Sequence, residues 1–132
     1  MFGRKSKPNP TIWVDGIVLT FDLKHSWWTF TYRGLDFISY ESRLNLPLQE
    51  ELDSILANVS SIEGEMKSRI ATYFQSTPEI KASSGQLTHV NIASFADSNT
   101  VGVFWTGDAS WGDMAVEFTI REEQIIDETW GD

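Results

Sequence analysis

The side chains able to carry acid–base or nucleophilic chemistry are few and scattered. There are two histidines, His25 and His89, no cysteine, and one serine in a suggestive setting, Ser110 within Gly107-Asp108-Ala109-Ser110-Trp111-Gly112. Nucleophilic hydrolysis needs a serine within reach of a histidine that a third group orients. This segment has one residue too many before Ser110 to read Gly-x-Ser-x-Gly, and it joins two predicted strands where a nucleophile elbow joins strand to helix. His25 falls in a turn and is expected to be solvated. His89 falls in a strand and is expected to hydrogen-bond within a sheet. The absence of cysteine excludes disulfides, thiolate metal sites and thiol nucleophiles.

Carboxylates are the more abundant resource. Asp97, Asp108, Asp113, Glu117 and Glu128 could hold a hard cation or act as acid and base. None has a ligand spacing: the Asp-x-Asp-x-Asp-Gly order of a calcium loop and the His-Glu-x-x-His of a zinc site are both missing. Acids in turns and at strand edges are ordinarily solvated or bonded to their own backbone. No catalytic set and no cofactor is therefore expected, and none of these residues is assigned to a metal.

The tryptophans offer binding chemistry instead, because indole brings large contact area and a polar handle at small entropic cost. Trp27, Trp105, Trp111 and Trp130 are the candidates. Trp105 is in phase with Val101 and Val103 and points to a core, whereas Trp27, on an alternate strand face, and Trp111, in a loop, are expected to be exposed. Gly107 and Gly112 are expected to supply unusual backbone angles in the same loop.

The elements that must position these residues follow from periodicity. Ile12-Trp13-Val14 and Ile17 to Phe21 flank Asp15-Gly16, the strongest local signal for a tight hairpin. Trp28, Phe30 and Tyr32 alternate with Trp27, Thr29 and Thr31, and Arg33-Gly34 turns the chain into Leu35 to Tyr40. Between Pro47 and Phe74 the period changes to 3.6, with Leu48, Leu52, Ile55, Leu56, Val59, Ile62, Met66, Ile70 and Tyr73 on one face. Glu50, Glu51 and Asp53 suit the positive end of this helix, Lys67 and Arg69 the negative end, and Thr77-Pro78 stops it. Those 28 residues would span ~42 Å, more than the ~36 Å diameter of a compact domain of this size. Ser60-Ser61-Ile62-Glu63 and Gly64 offer a place to break, but the apolar phase and the pairs Glu63 to Lys67 and Glu65 to Arg69 run through it, which predicts one helix with room for a bend. Period two returns after a polar loop over 78–86, in 87–95, in 101–106 beyond the turn 97–100, in Met114 to Ile120, and in a final strand from Gln124 to Trp130.

The predicted architecture is α+β: a β-meander, one long amphipathic helix, then a second β-meander, giving an antiparallel sheet of seven or eight strands with the helix packed on one face. Residues 11–132 are expected to form one domain, preceded by a flexible basic arm over residues 1–10 carrying Arg4, Lys5 and Lys7. No apolar run of signal-peptide or membrane-spanning length is present, so a cytoplasmic protein without membrane association is expected.

Charge narrows the partner. The chain carries −9 overall, divided as +3 over residues 1–10, −5 over 11–107 and −7 over 108–132. Such a field repels nucleic acid and anionic membranes and attracts basic proteins.

Phe104-Trp105, Trp111-Gly112 and Val116-x-Phe118-x-Ile120, set in this order of elements, resemble small uncharacterised bacterial α+β domains, some of which look like immunity proteins of polymorphic toxin systems. The resemblance implies a protein that acts by binding and transfers no catalytic residue. The expectation is a non-enzymatic cytoplasmic protein that neutralises a basic partner, such as a toxin, through Asp108, Trp111, Asp113, Glu117 and Trp130. The alternative is a small-ligand or metal-binding module or hydrolase in which Trp111 stacks on a sugar or base and Asp108 and Asp113 supply polar or metal contacts. A homodimer built on the sheet edge or on the helix is a third possibility.

Overall fold

The computed structural model describes residues 9–40 and 45–131, and the basic side chains of Arg4, Lys5 and Lys7 lie outside them. Of the expected flexible arm, Asn9 and Pro10 are described and are held: the Pro10 carbonyl accepts from Phe21 N at 2.9 Å and the Asn9 side-chain oxygen from Leu23 N at 3.0 Å.

The sheet has eight strands in sequential order: β1 (Thr11–Val14), β2 (Ile17–Asp22), β3 (Trp27–Tyr32), β4 (Leu35–Ser39), β5 (Gln86–Asn91), β6 (Val101–Thr106), β7 (Ala115–Arg121) and β8 (Gln124–Gly131). The two tight turns read from Asp15-Gly16 and Arg33-Gly34 form as expected, with φ near 50° at the first position and 80° at the second. That pair of left-handed residues twists the hairpin in the sense its strands require.

The junction between the two meanders departs from the expected antiparallel sheet. β4 and β5 run parallel, pairing Phe37 with Val90 and Ile38 with Asn91. The cause is the long helix between them, α1 (Gln49–Tyr73), which carries the chain back across the sheet so that β5 starts from the end where β4 started.

α1 is unbroken through Gly64 and buries Leu52, Ile55, Val59, Ile62, Met66 and Ile70. Leu48 caps it, its N–H donating to the Glu51 carboxylate at 2.9 Å. The pairs Glu63–Lys67 (3.9 Å) and Glu65–Arg69 (3.1 Å) form on its exposed side. Lys67 and Arg69 stop short of the last turn, so they brace the helix more than they neutralise its end. A methyl group added at Gly64 would meet nothing within 4 Å. Gly64→Ala is therefore expected to raise stability by about 0.5–1 kcal/mol, through the entropy of the unfolded chain, as read from chemical denaturation midpoints.

The helix faces one side of the sheet. On that side Leu19, Phe37, Val90, Val103, Trp105, Val116 and Phe118 are essentially inaccessible and join the helix residues in one apolar cluster. Burying each such side chain contributes about 1.5–3 kcal/mol. The opposite side of the sheet is left open by the described residues, and strand register assigns it Trp13, Val18, Thr20, Trp27, Thr29, Thr31, Asp36, Ile38, Phe104, Glu117 and Asp127. Among the described residues no helix is long and apolar enough to cross a membrane.

Candidate functional site

The loop between β6 and β7 is built as a structural clasp. Ala109–Trp111 forms a single 3-10 turn, capped by the Asp108 carboxylate, which accepts from Ser110 N at 2.9 Å and from the Ser110 hydroxyl. Those Ser110 bonds, the side-chain one foremost, hold the Asp108 carboxyl below its usual range. Ser110 also accepts from Lys81 N at 2.8 Å, and Asp108 N donates to the Ser84 hydroxyl at 3.0 Å.

Trp111 corrects the expectation of exposure: it is 4% exposed, and its indole N–H donates to the Lys81 carbonyl at 2.9 Å. Its ring meets Phe74 edge-on at 4.9 Å and lies 6.0 Å from Trp130. Trp130 is half-buried, stacks on Tyr73 at 3.7 Å and donates to Glu128 at 2.7 Å. The rings of Tyr73, Phe74, Trp111 and Trp130 thus close the sheet against the C-terminal end of α1. Gly107 serves this packing through its lack of a side chain; its φ is not positive, whereas that of Gly112 is 62°. A methyl group on Gly107 would fall 2.2 Å from the Trp111 ring.

The five residues singled out from sequence therefore do not share one surface. Asp108 and Asp113 are exposed in the clasp, Trp111 is inside it, and Trp130 is on the helix side of β8. Glu117 projects from the opposite side, since its neighbours Val116 and Phe118 are the ones buried under the helix.

Glu117 belongs to a cluster on the open face that sequence reading did not assemble. A bulge displaces Thr88, so Leu87 pairs with Trp105 on the core side while His89 pairs with Phe104 on the open side. His89 stacks on Phe104 at 4.4 Å, and its Nε2 lies 2.9 Å from the Tyr40 hydroxyl. The Thr88 hydroxyl donates to the Phe104 carbonyl and lies 3.1 Å from His89 Nδ1. With its hydrogen so used, Thr88 accepts from Nδ1–H, and Nε2 accepts from Tyr40: the neutral Nδ1–H tautomer. Burial lowers the His89 pKa and outweighs the opposing pull of Asp36, which agrees with a neutral ring. Tyr40 continues the aromatic row edge-on to Phe104 at 6.0 Å and to Trp27 at 4.7 Å. Trp27, expected to be exposed, is half-buried here and stacks on His25 at 4.3 Å. His25 in turn bonds the Asp22 carboxylate at 2.8 Å, the main cause of that group's lowered pKa.

Glu117 lies across β6 at Gly102, where its carboxylate occupies the space that a Cβ would fill. No cation pairs with it among the described residues. Burial, with Asp127 adding repulsion, raises its pKa. In the interval between the ordinary glutamate value and this raised one, the folded chain binds more protons than the unfolded chain, so stability falls as pH rises. Glu117→Gln should accordingly be more stable than the wild type at neutral pH, with the difference vanishing as pH falls below the ordinary glutamate range. Denaturation midpoints across a pH series check this.

Beside this cluster the open face carries a shallow depression of about 850 Å³ running over β1 to β5, lined by Trp13, Thr20, Thr29, Thr31, Asp36 and Ile38. Trp13 is 72% exposed. The face combines exposed indole, threonine hydroxyls and the carboxylates of Asp22, Asp36, Glu117 and Asp127, with Arg121 at the end of β7 its one Lys or Arg strand residue among those described, and Arg33 of the β3–β4 turn at the edge of the depression, 3.4 Å from the Asp53 carboxylate. The signal in sequence was the repeated threonine–aromatic parity of Trp13, Thr20, Trp27, Thr29 and Thr31, visible only once adjacent strands are placed in register. Among the described residues no three His, Asp or Glu side chains come together as a metal site.

Comparison of the chain with family models, with curated proteins and with solved structures finds no match.

Proposed function

We propose that this chain is a non-enzymatic protein-binding protein whose open sheet face docks a basic partner. A secreted or delivered basic toxin is a partner of that class, and neutralising it by occupation would need no catalytic group. The observation that carries the reading is the exposed Trp13 beside a depression of threonines and carboxylates on a face the helix does not cover. Solvent-exposed indole supplies contact area, and the acids supply steering toward a cation. The loop of Asp108 and Asp113 adds to the negative field at a distance, while Trp111 holds that loop in place.

The test is affinity capture from the native host with three baits: wild type, Thr31→Arg and Asp113→Asn. Thr31 is exposed and its hydroxyl donates to Asp36 at 2.7 Å, so an arginine there pairs with Asp36 and adds positive charge to the face. A basic protein is expected on the wild-type and Asp113→Asn baits, released by raised salt and missing from Thr31→Arg. Capture by Thr31→Arg but not by Asp113→Asn would move the docking surface to the loop and refute the reading.

A further inference from the structure

Glu117 is a half-buried acid of the open face whose surroundings come from neighbouring strands. Gly102, beneath its carboxylate, presents no side chain, and it is flanked in register by Asn91 on β5 and Thr119 on β7. Two residues along β6 the ring of Phe104 is held by the stacked His89, and Tyr40 stands edge-on to it. His89 and Tyr40 are committed to each other and Asn91 accepts from Ala93 N at 3.0 Å, so the floor and walls are fixed by their own bonds. Glu117, half-buried, has no cationic counterpart among the described residues.

We propose that Glu117, lying over Gly102 beside the Phe104 and Tyr40 rings, forms a slot that receives an arginine side chain of the basic partner. A flat guanidinium matches both halves of this slot, since it bonds a carboxylate through two parallel N–H groups and packs its plane against aromatic rings. An ammonium group matches only the charge. The slot thereby names the group by which the docking face would select its partner. It rests on the open-face reading, and it can fail while that reading stands.

The probe is N-acetyl-arginine amide titrated into the isotope-labelled full chain, with the citrulline counterpart as its uncharged isostere. Saturable shifts are expected at the Gly102 and Phe104 amides and the Trp27 indole, and none with citrulline. Glu117→Gln should weaken binding about tenfold, the loss of one charge-assisted pair. Gly102→Ala gives the second variant: the three atoms its methyl group would meet first all belong to the mobile side chain of Glu117, so it displaces the carboxylate while keeping the charge, and it should weaken binding equally. Both variants are expected to melt at or above about the wild-type temperature, so that weakened binding reads the slot and not the fold.

Equal responses to arginine and citrulline, or unchanged affinity in Glu117→Gln, would overturn the slot. Shifts confined to the loop of Asp108 and Asp113 would do the same, as would identical shifts on diluting the protein alone, which would assign the face to a second copy. A captured basic protein that binds Glu117→Gln as well as wild type but fails on Thr31→Arg removes the slot and leaves the docking face. One that binds Thr31→Arg normally removes the face itself.

Discussion

Trp111→Ala should lower stability by about 3–5 kcal/mol, and Gly107→Ala should approach the same loss without removing a single contact atom. The tryptophan fills the gap between Phe74, Trp130 and the segment from Lys81 to Gly85, and its N–H bonds the Lys81 carbonyl. Truncation leaves a cavity bounded by strand and helix and removes the indole's bond to the Lys81 carbonyl, which keeps its bonds from Ser84. In Gly107→Ala the added methyl group would sit 2.2 Å from ring atoms that have no free direction in which to retreat, because the ring is clamped by its own hydrogen bond and by neighbouring rings. The contrast is Gly102→Ala, where the closest approach is to the flexible end of Glu117. Urea denaturation of the three variants separates the cases: two large losses and one near-neutral change. A Trp111→Ala protein of wild-type stability would mean that the clasp does not hold the end of the sheet.

Much of the fold was legible because local rules and tertiary burial agree. The left-handed pairs at Asp15-Gly16 and Arg33-Gly34, the helical phase through Gly64, and the inward parity of Trp105 all rest on spacing within a few residues. What escaped depends on residues brought from afar. The parallel junction follows from where α1 returns the chain, which no strand pattern encodes. Trp111 lies in a loop rich in glycine and aspartate that reads as exposed, yet it is buried by segments 30 and more residues away in the chain, among them Lys81. The bulge at Thr88 changes which side His89 faces, and a simple period of two cannot anticipate it. Glu117 was singled out for its charge alone; its half-buried setting beside Gly102 and Phe104 comes from β6.

The second large effect concerns binding. Combining Trp13→Ser with Thr31→Arg should weaken the complex with a captured basic partner at least about a hundredfold, roughly 2.8 kcal/mol. Trp13 is an exposed indole at the rim of the depression, with little to do for the fold: at 72% exposure it buries little area in the free chain, and its loss should leave stability nearly unchanged. An arginine at position 31 neutralises Asp36 and places repulsion against a cationic partner where steering had been favourable. The wild-type complex should weaken steeply with ionic strength, and the double variant should show a shallower dependence. Titration calorimetry at two salt concentrations reads both quantities, and a salt-independent wild-type complex would remove electrostatics from the recognition.

Hydroxyl-radical footprinting of that complex separates the two surfaces most directly, because it labels aromatic side chains by their accessibility on each side of the sheet. Trp13, Trp27 and Tyr40 should be protected on binding, while Tyr73, exposed on the helix side beside Trp130, should react as it does in the free protein. Protection of Tyr73 and Trp130 with Trp13 left fully reactive would contradict docking on the open face.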